Sequence, residues 1–173
     1  TVIYNQWKQS RDASMLASMG YLLTTTPEEG REFIQWKSLQ AIHLISSQDD
    51  NVDQVEQLLL KSNTEDPVIQ VNLAFFDLLR GDLRAATRHY REAKKLHVTF
   101  DTVEEILDFM EWYITFKPSR TAEMHFAIGF VSLIILSDKQ LAEKSFALFR
   151  KHRDGKYEIE NDLINDWISN GHT

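Results

Sequence analysis

Three clusters of charged side chains in this 173-residue chain have spacings at which they could act together. Glu104, Asp108 and Glu111 fall four and three residues apart, which puts three carboxylates on one helical face, as acid–base chemistry would need. Arg84, Arg88, Arg91 and Lys95 repeat at similar intervals and form a cationic stripe suited to an acidic peptide, a phosphorylated tail or a nucleic-acid backbone. Asp49, Asp50, Asn51 and Asp53 open like a calcium loop. That loop needs Gly where Gln54 stands and a bidentate carboxylate where Leu60 stands. An acidic cluster favoured at a helix start is the better account.

The remaining chemistry is thin. The histidines (His43, His89, His97, His125, His152 and His172) show neither His-Glu-x-x-His nor Glu-x-x-His spacing, so no metal and no cofactor is expected. His125 opens an apolar segment and reads as a packed or capping group. A pocket between Trp36, His43, His125 and the acidic helix would be needed for an all-α ligand-binding bundle, and no spacing supports one. No glycine-rich phosphate loop, nucleophile elbow or dinucleotide fingerprint occurs. The three carboxylates have the spacing of an ordinary solvated face. Catalysis is therefore not expected.

Composition narrows the partners. There are 19 Lys and Arg against 26 Asp and Glu, a net charge of −7, so nucleic acid and anionic membranes are repelled overall. The basic stripe is a local exception. Its structural explanation is pairing with the Glu104/Asp108/Glu111 stripe of the following helix, where exposed pairs contribute about 0–1 kcal/mol each. No aromatic residues interleave with it, so stacking on single strands has no support. The chain has no Cys, which excludes disulfides and thiolate chemistry. The longest apolar run, Phe126 to Leu136, is shorter than the roughly 20 residues a bilayer requires. With no basic-then-apolar leader, the cytoplasm is the expected compartment. A first residue of Thr rather than Met fits a processed product or an excised domain.

These side chains would be positioned by helices. Only six Gly and three Pro occur, few for a turn-rich β protein. Each proline marks a helix start: Thr26-Pro27, Asp66-Pro67 and Lys117-Pro118. Thr102 to Glu105 and Ser137 to Gln140 look like capping boxes, and Asn51 and Asp82 are cap candidates. The expected helices are nine, over 5–23, 28–47, 52–62, 67–80, 83–97, 102–116, 120–136, 138–152 and 158–169. Their short connections imply antiparallel hairpins. In the 83–97 helix, Leu83, Ala86, Tyr90, Ala93 and His97 share one face. In the 102–116 helix, Val103, Ile106, Leu107, Met110 and Ile114 form one apolar face, and Phe109, Trp112 and Phe116 form a second. Such a helix is sandwiched between layers or shows an aromatic surface to a partner. Burial is the favoured reading.

The stretch from Pro67 to Leu96 makes one complete helix–turn–helix unit. Leu73-Ala74, Gly81-Asp82 at the turn, and the small–aromatic–small series Ala86, Tyr90 and Ala93 resemble the tetratricopeptide repeat. Gln70, Asp77 and Val98 depart from its usual Trp, Tyr and Pro. Residues 28–62, with Val55 in the place of Ala86, and 120–152, with Ala142 and Phe146, are degenerate hairpins of similar outline. The helix at 102–116 breaks the period. Other right-handed hairpin stacks, such as proteasome-lid scaffolds, are similar too. The resemblance implies an all-α fold, a right-handed stack of antiparallel helical hairpins in one domain over 1–173, with its best repeat at 67–97.

That resemblance also implies a function: a scaffold or adaptor that grips a peptide or protein in a concave groove. The groove residues carried over are Val68, Val71, Asn72, Phe75, Leu78 and Leu79, with Asn72 at the family's frequent ligand-binding Asn. The alternative for Phe75 and Leu78 is core packing, with Asn72 solvated. A homodimer through Phe109, Trp112 and Phe116 is a second reading. A regulatory or ligand-binding domain of a transcription factor is a third.

Overall fold

The computed structural model describes Gln9, Ser10, Leu60 and residues 64–170, with the first two and Leu60 in helical conformation. The expected helix over 28–47 and most of those over 5–23 and 52–62 lie outside the described residues, as do Trp36, His43 and the Asp49–Asp53 cluster. The chain divides into two compact units, Thr1–Asn72 and Leu73–Thr173. Among the described residues the structure is all helical: α1 (Pro67–Leu79), α2 (Leu83–Lys95), α3 (Phe100–Phe116), a short 3-10 turn (Pro118–Arg120), α4 (Thr121–Ile134), α5 (Lys139–His152) and α6 (Glu158–Asn170). No helix among them is long and apolar enough to cross a membrane.

The helix ends follow from local chemistry. Pro67 begins α1, and Asp66 Oδ1 accepts the Val68 N–H at 2.9 Å. Asp82 caps α2 by accepting the Ala85 N–H at 3.0 Å, and Asp138 caps α5 by accepting the Leu141 N–H at 3.0 Å. At α3 the expected cap shifts. Thr99, rather than Thr102, is the capping residue and accepts the Thr102 N–H at 3.2 Å, so the helix starts two residues early. Between α1 and α2, Gly81 sits at φ +76 while the Asp82 N–H reaches the Asp77 carbonyl and the Gly81 N–H that of Leu78. This reversal satisfies the last carbonyls of α1, and only Gly adopts that φ without strain. The end of α2 makes the same bond pattern around His97 at φ 60. His97 is therefore exposed, not on the inner face with Leu83 and Ala86.

α4 forms the centre of the second unit. Its apolar side chains run all the way round, and nearly every residue from Ala122 to Ile134 is buried. Such a helix must be surrounded, and α2, α3 and α5 all pack on it. With α5 it makes an antiparallel hairpin. Phe126 lies 5.3 Å from Phe149, Phe126 lies 6.1 Å from Phe146, and His125 lies 6.0 Å from His152, ring to ring, so residue numbers rise on one helix as they fall on the other. The seam depends on Gly129. A Cβ built there would lie 2.7 Å from the Phe146 ring, which is fully buried. Tyr90 of α2 meets Phe130 of α4 at 6.4 Å, with Ala86 and Ala93 fully buried beside it on the same helix.

α6 is attached differently. Ile164 is its one fully covered residue, and polar side chains at the C-terminal end of α5 and just after it hold it: Arg150 donates to Asn161 at 2.9 Å and Asn165 at 2.8 Å, and Arg153, the residue that caps α5, donates to Glu158 at 2.8 Å. Trp167 closes the contact against Phe130, 5.1 Å away.

Candidate functional site

The residues carried over as a groove are mostly interior. Val71 is 2% exposed, Asn72 0%, Phe75 1% and Leu78 0%; Val68 and Leu79 are half-buried. Phe75 meets Phe109 edge-on at 5.5 Å and Tyr113 at 5.3 Å, so it is a core residue of the second unit and not an open lining. Asn72 is not solvated. Its Nδ2 donates to the Val68 carbonyl one turn back at 3.0 Å, and its Oδ1 is buried with no hydrogen-bond partner. The helix thus turns the donor of this Asn onto itself, which removes part of the ligand-binding capacity the amide would offer.

The aromatic face of α3 is also split. Phe109 is 1% exposed and belongs to the core. Trp112 is half-buried and stacks on Phe116 at 5.2 Å and 15°, and Phe116 is 38% exposed. Of the three, Phe116 is the one that shows substantial surface.

Among the described residues, no ion pair joins Arg84, Arg88, Arg91 or Lys95 to Glu104, Asp108 or Glu111. Lys95 meets Glu92 of its own helix at 3.7 Å. Arg91 instead places its guanidinium 5.1 Å from the Phe130 ring centre and 5.6 Å from that of Trp167, a cation–π contact that ties α2 to α4 and α6. Burial there lowers its pKa. Arg84 and Arg88 are exposed, as are Glu104, Asp108 and Glu111.

Two polar clusters escaped the spacing argument. In the first, Asp77 lies 3.5 Å from His89 Nε2. The hydroxyl of Tyr90 is buried without a hydrogen-bond partner, and burial together with the Asp77 charge raises its pKa. In the second, Glu123 is 5% exposed; its Oε1 accepts the Tyr157 hydroxyl at 2.9 Å and lies 3.8 Å from Arg120. Its other oxygen is buried and unpartnered. Tyr157 has its pKa raised by burial and by Glu123, while Tyr113 is pushed up to about 12 by burial, with Arg120 and Glu123 acting in opposite senses. Lys117 is lowered by burial and by Arg120. The signal for this cluster was present: Glu123 is the one acid in the α4 segment. Its partner is 34 residues away, a separation that periodicity does not reveal.

The histidines behave similarly. His125 lies ring to ring with His152, and its pKa is lowered by burial first and by His152 second. No family model matches the chain, and neither the curated proteins nor the solved structures yield a match.

Proposed function

We propose that this chain is a tetratricopeptide-like interaction scaffold that binds a protein or peptide partner and performs no chemistry of its own. The observation that carries this reading is the α2–α4 seam. There Ala86 and Ala93 are fully buried on either side of Tyr90, whose ring meets Phe130 of the following hairpin. Small residues flanking an aromatic let one hairpin nest on the next, and that nesting lets repeat arrays build extended binding surfaces. The antiparallel α4–α5 hairpin supports the same reading. A regulatory role inside a larger adaptor or transcription factor follows naturally from a module of this kind.

Because Val71, Asn72, Phe75 and Leu78 are buried, the groove residues within a partner's reach are Val68 and Leu79. The test is affinity capture with quantitative mass spectrometry, comparing the full chain with Val68→Glu and Leu79→Glu variants shown to be folded by circular dichroism. Selective loss of the same captured proteins in both variants is the expected result. An unchanged set of partners would sink the groove assignment.

A further inference from the structure

We propose that the face covered by α6 is a docking site for an amphipathic helix of a partner protein, and that α6 is a built-in competitor which occupies it until that partner binds. This deepens the scaffold reading and rests on it, with the partner placed on a surface other than the α1 groove. The seat and its occupant both lie in the second unit. Phe126 and Phe130 of α4 form the apolar floor, and the Trp167 ring lies 6.1 Å from the first and 5.1 Å from the second. Arg91 of α2 lies over both Phe130 and Trp167, while Arg150 of α5 and Arg153 just after it donate to Asn161, Asn165 and Glu158. Trp and Arg contacts of this kind carry most of the energy at protein interfaces. α6 shows what the seat recognises: a helix with a carboxylate at Glu158, amide oxygens at Asn161 and Asn165, a buried aliphatic at Ile164 and an indole at Trp167. That is the helix-in-groove mode of recognition.

The cover is built to come away. Ile164 is the one fully buried residue of α6, and Ile159 on the same helix is 61% exposed. The arginine bonds that hold it are exposed and exchange readily with water. The connection from α5 is strained, because Asp154 at φ 50 and Tyr157 at φ 62 hold left-handed backbone that disfavours a Cβ. Release of α6 relaxes both. A latch keeps the connection closed: the Tyr157 hydroxyl donates to the buried Glu123 at 2.9 Å, in the space that Gly81 leaves, where a Cβ would lie 3.2 Å from it. Charge does not oppose the exchange. α6 carries Glu158, Glu160, Asp162 and Asp166 and no Lys or Arg, so it supplies four of the acids behind the net charge of −7. A helix of the same character that takes its place leaves the charge at the three arginines unchanged, and the released α6 is screened beyond about 8 Å at physiological salt. A basic helix would meet Arg91, Arg150 and Arg153 as like charges.

The probe is a fluorescent peptide with the sequence of residues 157–170, titrated into the full chain and read by anisotropy. Wild type should bind it weakly, because the tethered α6 competes at high effective concentration. Trp167→Ala in the chain weakens the competitor and leaves the seat intact, so the peptide should bind about tenfold or more tightly, in proportion to the released fraction. Tyr157→Phe loosens the latch alone and should move the affinity in the same direction; it carries the test if Trp167→Ala is not folded by circular dichroism. Adding Arg150→Glu to either variant should abolish binding, as should Trp167→Ala in the peptide or scrambling of its sequence. Proteins captured by the Trp167→Ala chain should be displaced by excess unlabelled peptide. No binding to either released variant would overturn the proposal, as would equal affinity for wild-type and released chains. A captured set wholly indifferent to the peptide would place partners elsewhere and overturn the docking role. Wild-type dimers that the peptide dissociates would assign the seat to α6 of a second copy, which also overturns it. The Val68→Glu and Leu79→Glu variants leave the seat intact, so the groove reading and this one fail independently.

Discussion

The α4–α5 hairpin and the α6 helix are neighbours in sequence and are held in opposite ways. Between α4 and α5 the fit is one of shape: Gly129 leaves room for the Phe146 ring, and Phe126 packs on Phe149. Between α5 and α6 the fit is one of direction: Arg150 and Arg153 reach Asn161, Asn165 and Glu158, and Tyr157 reaches back to Glu123. Close packing tolerates almost no change in volume, because an interior is as dense as an organic crystal. Exposed polar bonds exchange with water at little net cost, and each contributes about 0.5–1.5 kcal/mol. The first region should therefore set global stability and the second should open locally.

The largest expected effect tests the packed side. Phe146→Ala removes a fully buried ring at the Gly129 contact and should cost about 3–5 kcal/mol in urea unfolding. A cost below about 1 kcal/mol would show that the seam relaxes freely, and the contrast would collapse. Gly129→Ala is the converse. Helix propensity favours Ala by about 1 kcal/mol, but a Cβ 2.7 Å from a buried ring overpacks the seam and should cost about 1–3 kcal/mol. Net destabilisation is expected; net stabilisation would mean that the ring moves aside.

On the polar side, Tyr157→Phe takes the donor from Glu123 Oε1 and leaves a buried carboxylate whose other oxygen already lacks a partner. A loss of about 1–3 kcal/mol is expected. Hydrogen exchange should locate it in α6 and the preceding turn; uniform acceleration through α4 and α5 would erase the distinction between the regions.

The smallest effect is acid sensitivity of the hairpin. His125 has a folded pKa below its ordinary value of about 6.5, because burial and His152 disfavour its cation. Its contribution to stability is present above about pH 6.5 and is lost as pH falls from there through the lowered folded value. Melting curves between about pH 7.5 and 5.5 should show a decline that His125→Gln reduces. A rise in stability on acidification would contradict the assigned direction.

Much of the fold was legible in the chain because its cues are local. Pro67 and Asp82 mark starts that the structure keeps, the cap expected at Ser137 falls one residue later on Asp138, and the series Ala86, Tyr90 and Ala93 marks an inward face that is buried. The early start of α3 after Thr99 was harder to read, since Thr99 and Thr102 are of the same cap-forming type only three residues apart and the structure uses the first. The candidate surfaces were less legible. A repeat pattern names the face of α1 that would line a groove, but whether Phe75 is open depends on Phe109 and Tyr113, more than 30 residues on.

The sequence by itself determined that the described segments are helices, where most of them begin, and which side of α2 turns inward; capping, proline geometry and 3.6-residue periodicity act within a few residues. Tertiary structure alone decided that Arg91 leaves the basic stripe for Phe130 and Trp167 and that Glu123 is buried against Tyr157. The reason is range. Coulomb attraction between exposed groups is too weak to orient whole helices, so apolar packing around α4 sets their directions, and the charges remain where that packing leaves them.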